Sequence, residues 1–276
     1  MGLSCFVSAA SRLLVVSVLA VLAVLAVFGV FGVAPARAAG VRPPAYVALG
    51  DSYSAGVGAG GYDTTAGACK RSANAYPALW AAAHPRSSFA FTACSDAKTA
   101  DVVHTQLGPV NSATNLISLT VGGNDAGFAD VMATCLLSGT NACLNRVAQA
   151  RGFVDKNLPR LLDSTYQAIH AKGPHAHVVV LGYPRIYHVP GNCLLGLSDT
   201  ARGAINAAAD DLDTVIAKRA ADHGFTYTDV RAGFTGHELC SGAPWLHGVT
   251  LPLDESYHPT VAGQRSGYLP LFAAAA

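Results

Sequence analysis

The sequence is poor in charged residues of either sign. Asp, Glu, Lys and Arg make up 13% of its 276 residues, and the formal net charge is +1. It has no basic stripe of the kind that binds nucleic acid and no polybasic cluster that would hold the chain to an anionic membrane. Because the chain is nevertheless rich in Val, Leu and Ala, a disordered protein is excluded as well.

A second long hydrophobic run is also missing. The mean hydropathy of +0.33 comes largely from one apolar stretch, Leu13 to Ala34. An arginine before this stretch and an A-x-A ending after it are typical of a secretory signal peptide. We therefore predict that residues 1–38 are removed after Ala38 and that residues 39–276 are exported as one domain. The stretch is long enough to span a bilayer, so an uncleaved anchor is the alternative.

Cysteine spacing of the zinc-binding type is absent too. No two cysteines have the C-x-x-C spacing, and none lies beside a histidine at zinc-ligand spacing. We therefore expect no metal. We also expect no cofactor, since the G-x-G-x-x-G match at 56–61, the pattern of a dinucleotide site, opens no helix after a strand. Six cysteines follow the leader: Cys69, Cys94, Cys135, Cys143, Cys193 and Cys240. An even number behind a signal peptide indicates disulfides, but six cysteines allow about 15 pairings.

Short apolar runs alternate with helical patterns along the rest of the chain. The runs are 46–49, 89–92, 117–121, 178–181 and 225–230, and their continuous apolar character is typical of strands buried on both faces. Helical spacing of apolar residues follows in 144–171, which Pro159 kinks or divides, and in 201–222. Strands separated by helices predict parallel crossovers and a three-layer α/β sandwich. Ligands of such sheets bind at the carboxyl ends of the strands.

The first predicted strand ends in Gly50-Asp51-Ser52. Glycine and small polar residues favour a sharp turn there, which would expose Ser52 at the carboxyl edge of the sheet. The G-x-S-x-G nucleophile motif of the common α/β hydrolases does not occur in the chain. Taken alone, Gly50-Asp51-Ser52 favours an ordinary serine in a polar turn.

Two further motifs lie where the predicted site should be. The third strand is followed by Gly122-Gly123-Asn124, where glycines allow a close approach of the backbone and Asn124 offers an N–H donor for an oxyanion. Near the C-terminus, Pro259 suits the first turn of a helix, which puts His258 at a loop–helix junction. The nine other histidines carry no comparable motif.

Together and in this order, the three motifs resemble those of the GDSL, or SGNH, hydrolase family. The shared phrases include GDSYSAG (50–56), SANAYPALWA (72–81) and VGGNDAGF (121–128), and the resemblance covers essentially all of 44–272. The similarity is greatest to the secreted lipases and phospholipases A of the Streptomyces type. It implies a flavodoxin-like sheet of five parallel strands, and the sequential disulfides Cys69–Cys94, Cys135–Cys143 and Cys193–Cys240.

The resemblance also implies roles for individual residues. Ser52 corresponds to the nucleophile and His258 to the general base. The oxyanion hole would consist of the backbone N–H of Ser52, the side chain of Asn124 and a third backbone N–H at Asp96. The family usually has glycine at this third position, and a carboxylate that pointed inward would oppose a developing anion.

The group that orients His258 has two candidates. The family commonly has an acid three residues before the histidine, which here is Glu255. Several secreted members use a backbone carbonyl two residues before it, here that of Ser256. We favour the Ser256 carbonyl, because the longer glutamate side chain would shift the carboxylate.

The expected activity is that of a secreted serine ester hydrolase, a lipase or esterase acting as a monomer on a lipid or small ester. A phospholipase A, a carbohydrate-ester deacetylase, a thioesterase and a non-catalytic binding protein are the alternatives. An acyl chain needs apolar walls, and the candidates are Phe128, Leu136, Leu137, Tyr183, Tyr187 and Trp245. No amphipathic lid helix is evident, and the mature chain should not insert stably into a membrane.

Overall fold

The computed structural model describes residues 45–191, 193 and 196–276. The predicted signal peptide and its cleavage site lie outside the described residues. Within the described part of the chain, no helix is long and apolar enough to cross a bilayer. The same residues contain no group of three His, Cys, Asp or Glu side chains that could hold a metal ion.

A sheet of five parallel strands forms the centre of the fold. The strands are β1 (Ala45–Gly50), β2 (Ser88–Phe91), β3 (Leu116–Thr120), β4 (His177–Leu181) and β5 (Thr226–Thr228). Their spatial order is β2-β1-β3-β4-β5, and every pair is parallel. This is the flavodoxin-like order that the resemblance implies, so the predicted fold class is confirmed. Strand β5 is shorter than expected, because this half-buried edge strand pairs with β4 at three positions only.

Helices cover both faces of the sheet. They are α1 (Ser52–Ala55), α2 (Tyr76–Ala83), α3 (Thr99–Asp101), α4 (Phe128–Leu137), α5 (Gly139–Lys156), α6 (Leu158–Lys172), α7 (Asp199–Asp222) and α8 (Leu269–Ala275). Shorter 3-10 or π-helical segments span Thr64–Cys69, Val102–Gln106, Ala232–Phe234, Leu253–Glu255 and Gly263–Tyr268. Pro159 lies in the first turn of α6, where its missing N–H costs nothing. The predicted long helix is therefore divided into α5 and α6.

The core consists of the buried strand residues and the helix faces packed on them. On one face, Tyr46 stacks on Phe89 and Phe272 and meets the edge of Trp80, with ring centroids 5.0 to 5.5 Å apart. On the other face, Tyr166 of α6 packs against Phe225, just before β5. Aromatic contacts of this kind add to the free energy gained from burying apolar surface, and they fix the helices against the sheet.

Three disulfides join the cysteine pairs that the resemblance implies. They are Cys69–Cys94, Cys135–Cys143 and Cys193–Cys240, which are 25, 8 and 47 residues apart in the sequence. The first bridge holds the end of the 3-10 helix Thr64–Cys69 against the loop that follows β2. The second holds α4 against α5.

The order of the strands determines where a ligand can bind. Strand β2 lies on one side of β1 and β3 lies on the other, so the connection from β2 to β3 crosses over β1. Such a reversal opens a crevice at the carboxyl ends of the two neighbouring strands. Here those strands are β1 and β3, and the residues that follow them are Ser52 and Asn124.

Candidate active site

A sharp strand-to-helix turn presents Ser52. Gly50 ends β1 with φ of +121°, and a side chain at this position would collide with the backbone of Thr120. Asp51 then caps α1 by accepting a 3.0 Å hydrogen bond from the backbone N–H of Tyr53. Ser52 is the first residue of α1, so its backbone N–H has no partner within the helix. Both its hydroxyl and its N–H are therefore available at the end of β1.

Asp51 lies beneath the turn and is fully buried. Its carboxylate accepts hydrogen bonds from the Thr120 hydroxyl at 2.7 Å and from the Tyr183 hydroxyl. Burial raises the pKa of Asp51 to about 6, although these hydrogen bonds oppose the change. The carboxyl group thus ties the end of β1 to β3 and to the segment after β4.

His258 lies against Ser52. Its Nε2 is 2.7 Å from the Ser52 Oγ, and its Nδ1 is 3.1 Å from the carbonyl oxygen of Ser256. Since a carbonyl can only accept, Nδ1 carries the hydrogen and Nε2 has the lone pair that accepts the Ser52 hydroxyl proton. Burial lowers the pKa of His258 to about 4, so the imidazole is neutral and able to accept a proton at neutral pH.

The Glu255 carboxylate is not hydrogen-bonded to the His258 imidazole, although the Glu255 backbone carbonyl accepts a 3.3 Å hydrogen bond from the His258 N–H. The carboxylate accepts a 2.8 Å hydrogen bond from the Tyr62 hydroxyl and lies 3.9 Å from the Lys70 ammonium. The Tyr62 hydroxyl in turn accepts from the backbone N–H of Gly58. Of the two candidates for orienting the histidine, the structure brings the Ser256 carbonyl to His258 and turns the Glu255 side chain away to the loop that follows α1.

Asn124 lies in the turn after β3. Its Nδ2 donates a 3.1 Å hydrogen bond to the carbonyl of Ala97, and the second N–H of this amide remains for a ligand. The neighbouring Asp125 accepts hydrogen bonds from the Thr99 N–H at 3.0 Å and the Thr99 hydroxyl at 2.6 Å. The turn after β3 is thus fixed against the loop after β2.

Asp96 lies in that loop after β2, in the left-handed region with φ of 62°. Glycine adopts this conformation most readily, and aspartate is among the few other residues that tolerate it. The Asp96 side chain is exposed to solvent, so its carboxylate is not buried in the crevice. Its backbone N–H donates no hydrogen bond to another described residue.

An apolar cleft opens beside Ser52. Apart from Asp51, Ser52, Asn124 and Arg151, its walls are mostly apolar and come from α4, α5, α7 and the segment after β4. Two of the six predicted wall residues, Phe128 and Tyr183, line it, but Leu136, Leu137, Tyr187 and Trp245 do not. Sequence reasoning missed most of the wall: Ile186 in the segment after β4, and the helix residues Val131, Ala150, Val154, Ile205, Ala208, Ala209 and Leu212.

The Ser52 hydroxyl is hydrogen-bonded to an imidazole, at the carboxyl edge of a parallel sheet and beside an apolar cleft. This arrangement defines a serine-dependent hydrolase with an α/β fold. The model of the GDSL-like Lipase/Acylhydrolase family matches residues 48–266. The chain belongs to this family, as the motifs predicted, and is an ester hydrolase.

Individual relatives agree with this assignment. A lipase of Streptomyces rimosus is 63% identical over 226 residues, which are 82% of this chain and 84% of the relative. The crystal structure of the extracellular lipase from Streptomyces rimosus matches with a TM-score of 0.83, covering 84% of this chain and 99% of that one. The crystal structure of phospholipase A1 from Streptomyces albidoflavus NA297 is 58% identical, with a TM-score of 0.82, and covers 84% and 98% of the two chains.

Proposed function

We propose that this protein is a secreted serine hydrolase that cleaves acyl esters of lipids through an acyl-enzyme on Ser52. The observation that carries the proposal is the 2.7 Å contact between the Ser52 Oγ and the His258 Nε2, beside a cleft with apolar walls. A neutral imidazole in hydrogen-bond contact with a serine hydroxyl is the arrangement that turns this hydroxyl into a nucleophile.

The reaction proceeds in two halves. His258 takes the proton of Ser52 as the hydroxyl oxygen attacks the ester carbonyl, and then gives this proton to the leaving alcohol. Water repeats the sequence on the acyl-enzyme and releases the fatty acid. The Ser256 carbonyl holds the imidazolium formed in each half through its Nδ1–H.

The oxyanion of each tetrahedral intermediate is held by three N–H donors. These are the backbone N–H groups of Ser52 and Asp96 and the side chain of Asn124. All three come from the carboxyl ends of neighbouring strands, and the hydrogen bond from Asn124 to Ala97 fixes two of them relative to each other. Donors held in advance stabilise developing charge without having to reorganise.

The cleft favours an acyl chain over a sugar. Val131, Val154, Ile205 and Leu212 can surround an alkyl chain but offer no hydrogen bonds to hydroxyl groups. A carbohydrate-ester deacetylase is therefore the weaker alternative. Phospholipase A activity is a second candidate, favoured by the similarity to the phospholipase A1 structure. A thioesterase remains compatible with the same machinery, and a non-catalytic binding protein would not need the Ser52–His258 pair.

Export is part of the proposal. Residues 1–38 act as a signal peptide that is cleaved after Ala38, and residues 39–276 form the mature, monomeric enzyme outside the cell. Three disulfides suit an oxidising compartment, and the similar lipase from Streptomyces rimosus is extracellular. Mass spectrometry of the protein from the culture medium would test the cleavage site.

The direct test is hydrolysis of p-nitrophenyl esters from acetyl to palmitoyl by the secreted protein. We expect turnover to peak at medium or long acyl chains. Ser52→Ala and His258→Ala should each abolish this turnover and leave thermal unfolding nearly unchanged. Full activity in either variant would refute the proposed chemistry. Turnover of the acetyl ester alone would favour a deacetylase, and no turnover at all would favour a binding protein.

A further inference from the structure

Apolar side chains crowd the loop that precedes His258. Among the described residues, seven large hydrophobic side chains are exposed, and three of them lie within 249–253: Val249 at 61%, Leu251 at 83% and Leu253 at 67%. The same five residues contain no charge. Single exposed hydrophobic residues are common on protein surfaces, but a cluster of them marks a surface that meets another apolar phase.

The 249–253 loop is held at Thr250 and just beyond its carboxyl end. Within it, the backbone N–H of Thr250 donates to the Ser256 Oγ at 3.0 Å, and the same hydroxyl donates to the Thr250 carbonyl at 3.3 Å. At its carboxyl end, Asp254 pairs with Lys70 at 2.5 Å. The backbone therefore presents the three apolar side chains to solvent from a fixed position.

The loop is also joined to the catalytic base. Ser256 holds Thr250 with its side chain and His258 Nδ1 with its carbonyl. On the other side of the loop, the backbone N–H of His247 donates to the His258 carbonyl at 2.9 Å. The His247 carbonyl accepts from the N–H of Tyr257. The exposed loop is thus the tip of a hairpin-like segment whose base carries His258.

From this arrangement we propose that the 249–253 loop is a lipid-docking loop, which enters the surface of aggregated lipid and brings the active site to its substrate. The inference rests on the proposed ester hydrolysis and names the physical state of the substrate, a lipid surface instead of single dissolved molecules. An uncharged, apolar tip suits a neutral or zwitterionic lipid surface, because burial of its side chains needs no partner charge.

Binding is tested in the Ser52→Ala background, so that the lipid is not consumed. The probe is co-sedimentation with unilamellar phosphatidylcholine vesicles. The Leu251→Ser/Leu253→Ser variant should bind the vesicles at least tenfold more weakly, and the matched Leu251→Met/Leu253→Met variant should bind as the parent does. Equal binding by the serine variant, or equal loss by the methionine variant, would overturn the proposal.

Activity separates the docking loop from the chemistry. With Ser52 intact, the serine variant should hydrolyse dissolved p-nitrophenyl butyrate at the parental rate but phosphatidylcholine or triacylglycerol dispersions at least tenfold more slowly. A parent that turns over neither the dissolved ester nor the lipid dispersions would refute the proposed function. A serine variant that loses both activities in parallel would refute the docking role alone. The docking role would also be refuted if the parent were a dimer, the serine variant were a monomer and both bound vesicles equally.

Discussion

The hydroxyl of Tyr53 donates a 2.8 Å hydrogen bond to the backbone carbonyl of Tyr257. Tyr53 directly follows the nucleophile, and Tyr257 directly precedes the catalytic base. Tyr257 has φ of 64°, a conformation that a tyrosine adopts only when its surroundings hold it there. One buried hydrogen bond thus couples the two halves of the Ser52–His258 pair, which come from opposite ends of the domain.

Removal of this hydrogen bond should misalign the base without removing it. We expect Tyr53→Phe to lower kcat by roughly threefold to thirtyfold with little change in KM, since the Tyr53 ring, which lines the cleft, is retained. Steady-state kinetics on a soluble ester would measure the change. Tyr268→Phe is the matched control, because it removes a buried tyrosine hydrogen bond to the carbonyl of Gly182. A similar fall of kcat in both variants would contradict the positioning role of Tyr53.

Glu255→Gln separates the two candidates for orienting His258. Loss of the carboxylate charge from a Ser-His-Asp triad lowers kcat by about 10⁴-fold. Because the Glu255 carboxylate contacts Tyr62 and Lys70 and not His258, we expect kcat to remain within about fivefold of the parent. Glutamine keeps the hydrogen bond from Tyr62. A loss near 10⁴-fold would show that the carboxylate acts on the histidine.

Asn124→Ala should act on the transition state. Loss of one oxyanion donor lowers kcat by ~10²–10³-fold, and KM should stay nearly the same because the donor faces a charge that the substrate does not yet carry. Kinetic constants for a single p-nitrophenyl ester are sufficient for the comparison. A defect confined to KM would instead place Asn124 in ground-state binding.

The acid limb of kcat/KM should lie near pH 4. Burial lowers the pKa of His258 to about 4, and only the neutral imidazole, which forms as the pH rises through this value, can accept the serine proton. An ordinary histidine would give a limb near pH 6.5. Circular dichroism at each pH would show that the protein is still folded where activity falls. A limb near 6.5 with an intact fold would contradict the buried, neutral base.

Asp213 should make the protein less stable as the pH rises. Burial raises the pKa of this carboxyl group to about 7, whereas in the unfolded chain it ionises near 4. Between these values the folded state binds more protons, so the free energy of unfolding falls with increasing pH. Asp213→Asn, which keeps an acceptor for the N–H of Tyr183, should gain stability relative to the parent between pH 4 and pH 8. Urea unfolding at both pH values would measure this, and parallel curves would contradict it.

The sequence predicted those parts of the molecule that depend on local pattern. All five strands were recognisable because strands buried on both faces require continuous apolar runs. Ser52, Asn124 and His258 were singled out because their three motifs occur together and in this order, each motif alone being ambiguous. The bounds of β5 could not be predicted from the sequence. This strand covers only Thr226–Thr228, because its length is set by its pairing with β4 and not by its own residues.

Residues that act through tertiary contacts were missed. The sequence assigned Tyr183 only to the cleft wall and assigned Tyr53 no role, yet their hydroxyls donate hydrogen bonds to Asp51 and to the Tyr257 carbonyl. Ile205 and Leu212 have the helical spacing of a core face, and only the packing of α7 shows that this face borders a cleft. The spacing of apolar residues in a helix does not show whether their side chains pack against another helix or line a cleft.

The Ser52 and His258 side chains that meet in the site are 206 residues apart in the sequence. Contacts between residues so far apart in the sequence are slow to form, because closing the long loop between them costs entropy. In a refolding experiment, recovery of esterase activity would therefore follow the completed architecture, while circular dichroism would detect the earlier helices. The enzyme thus carries its own reporter of finished folding.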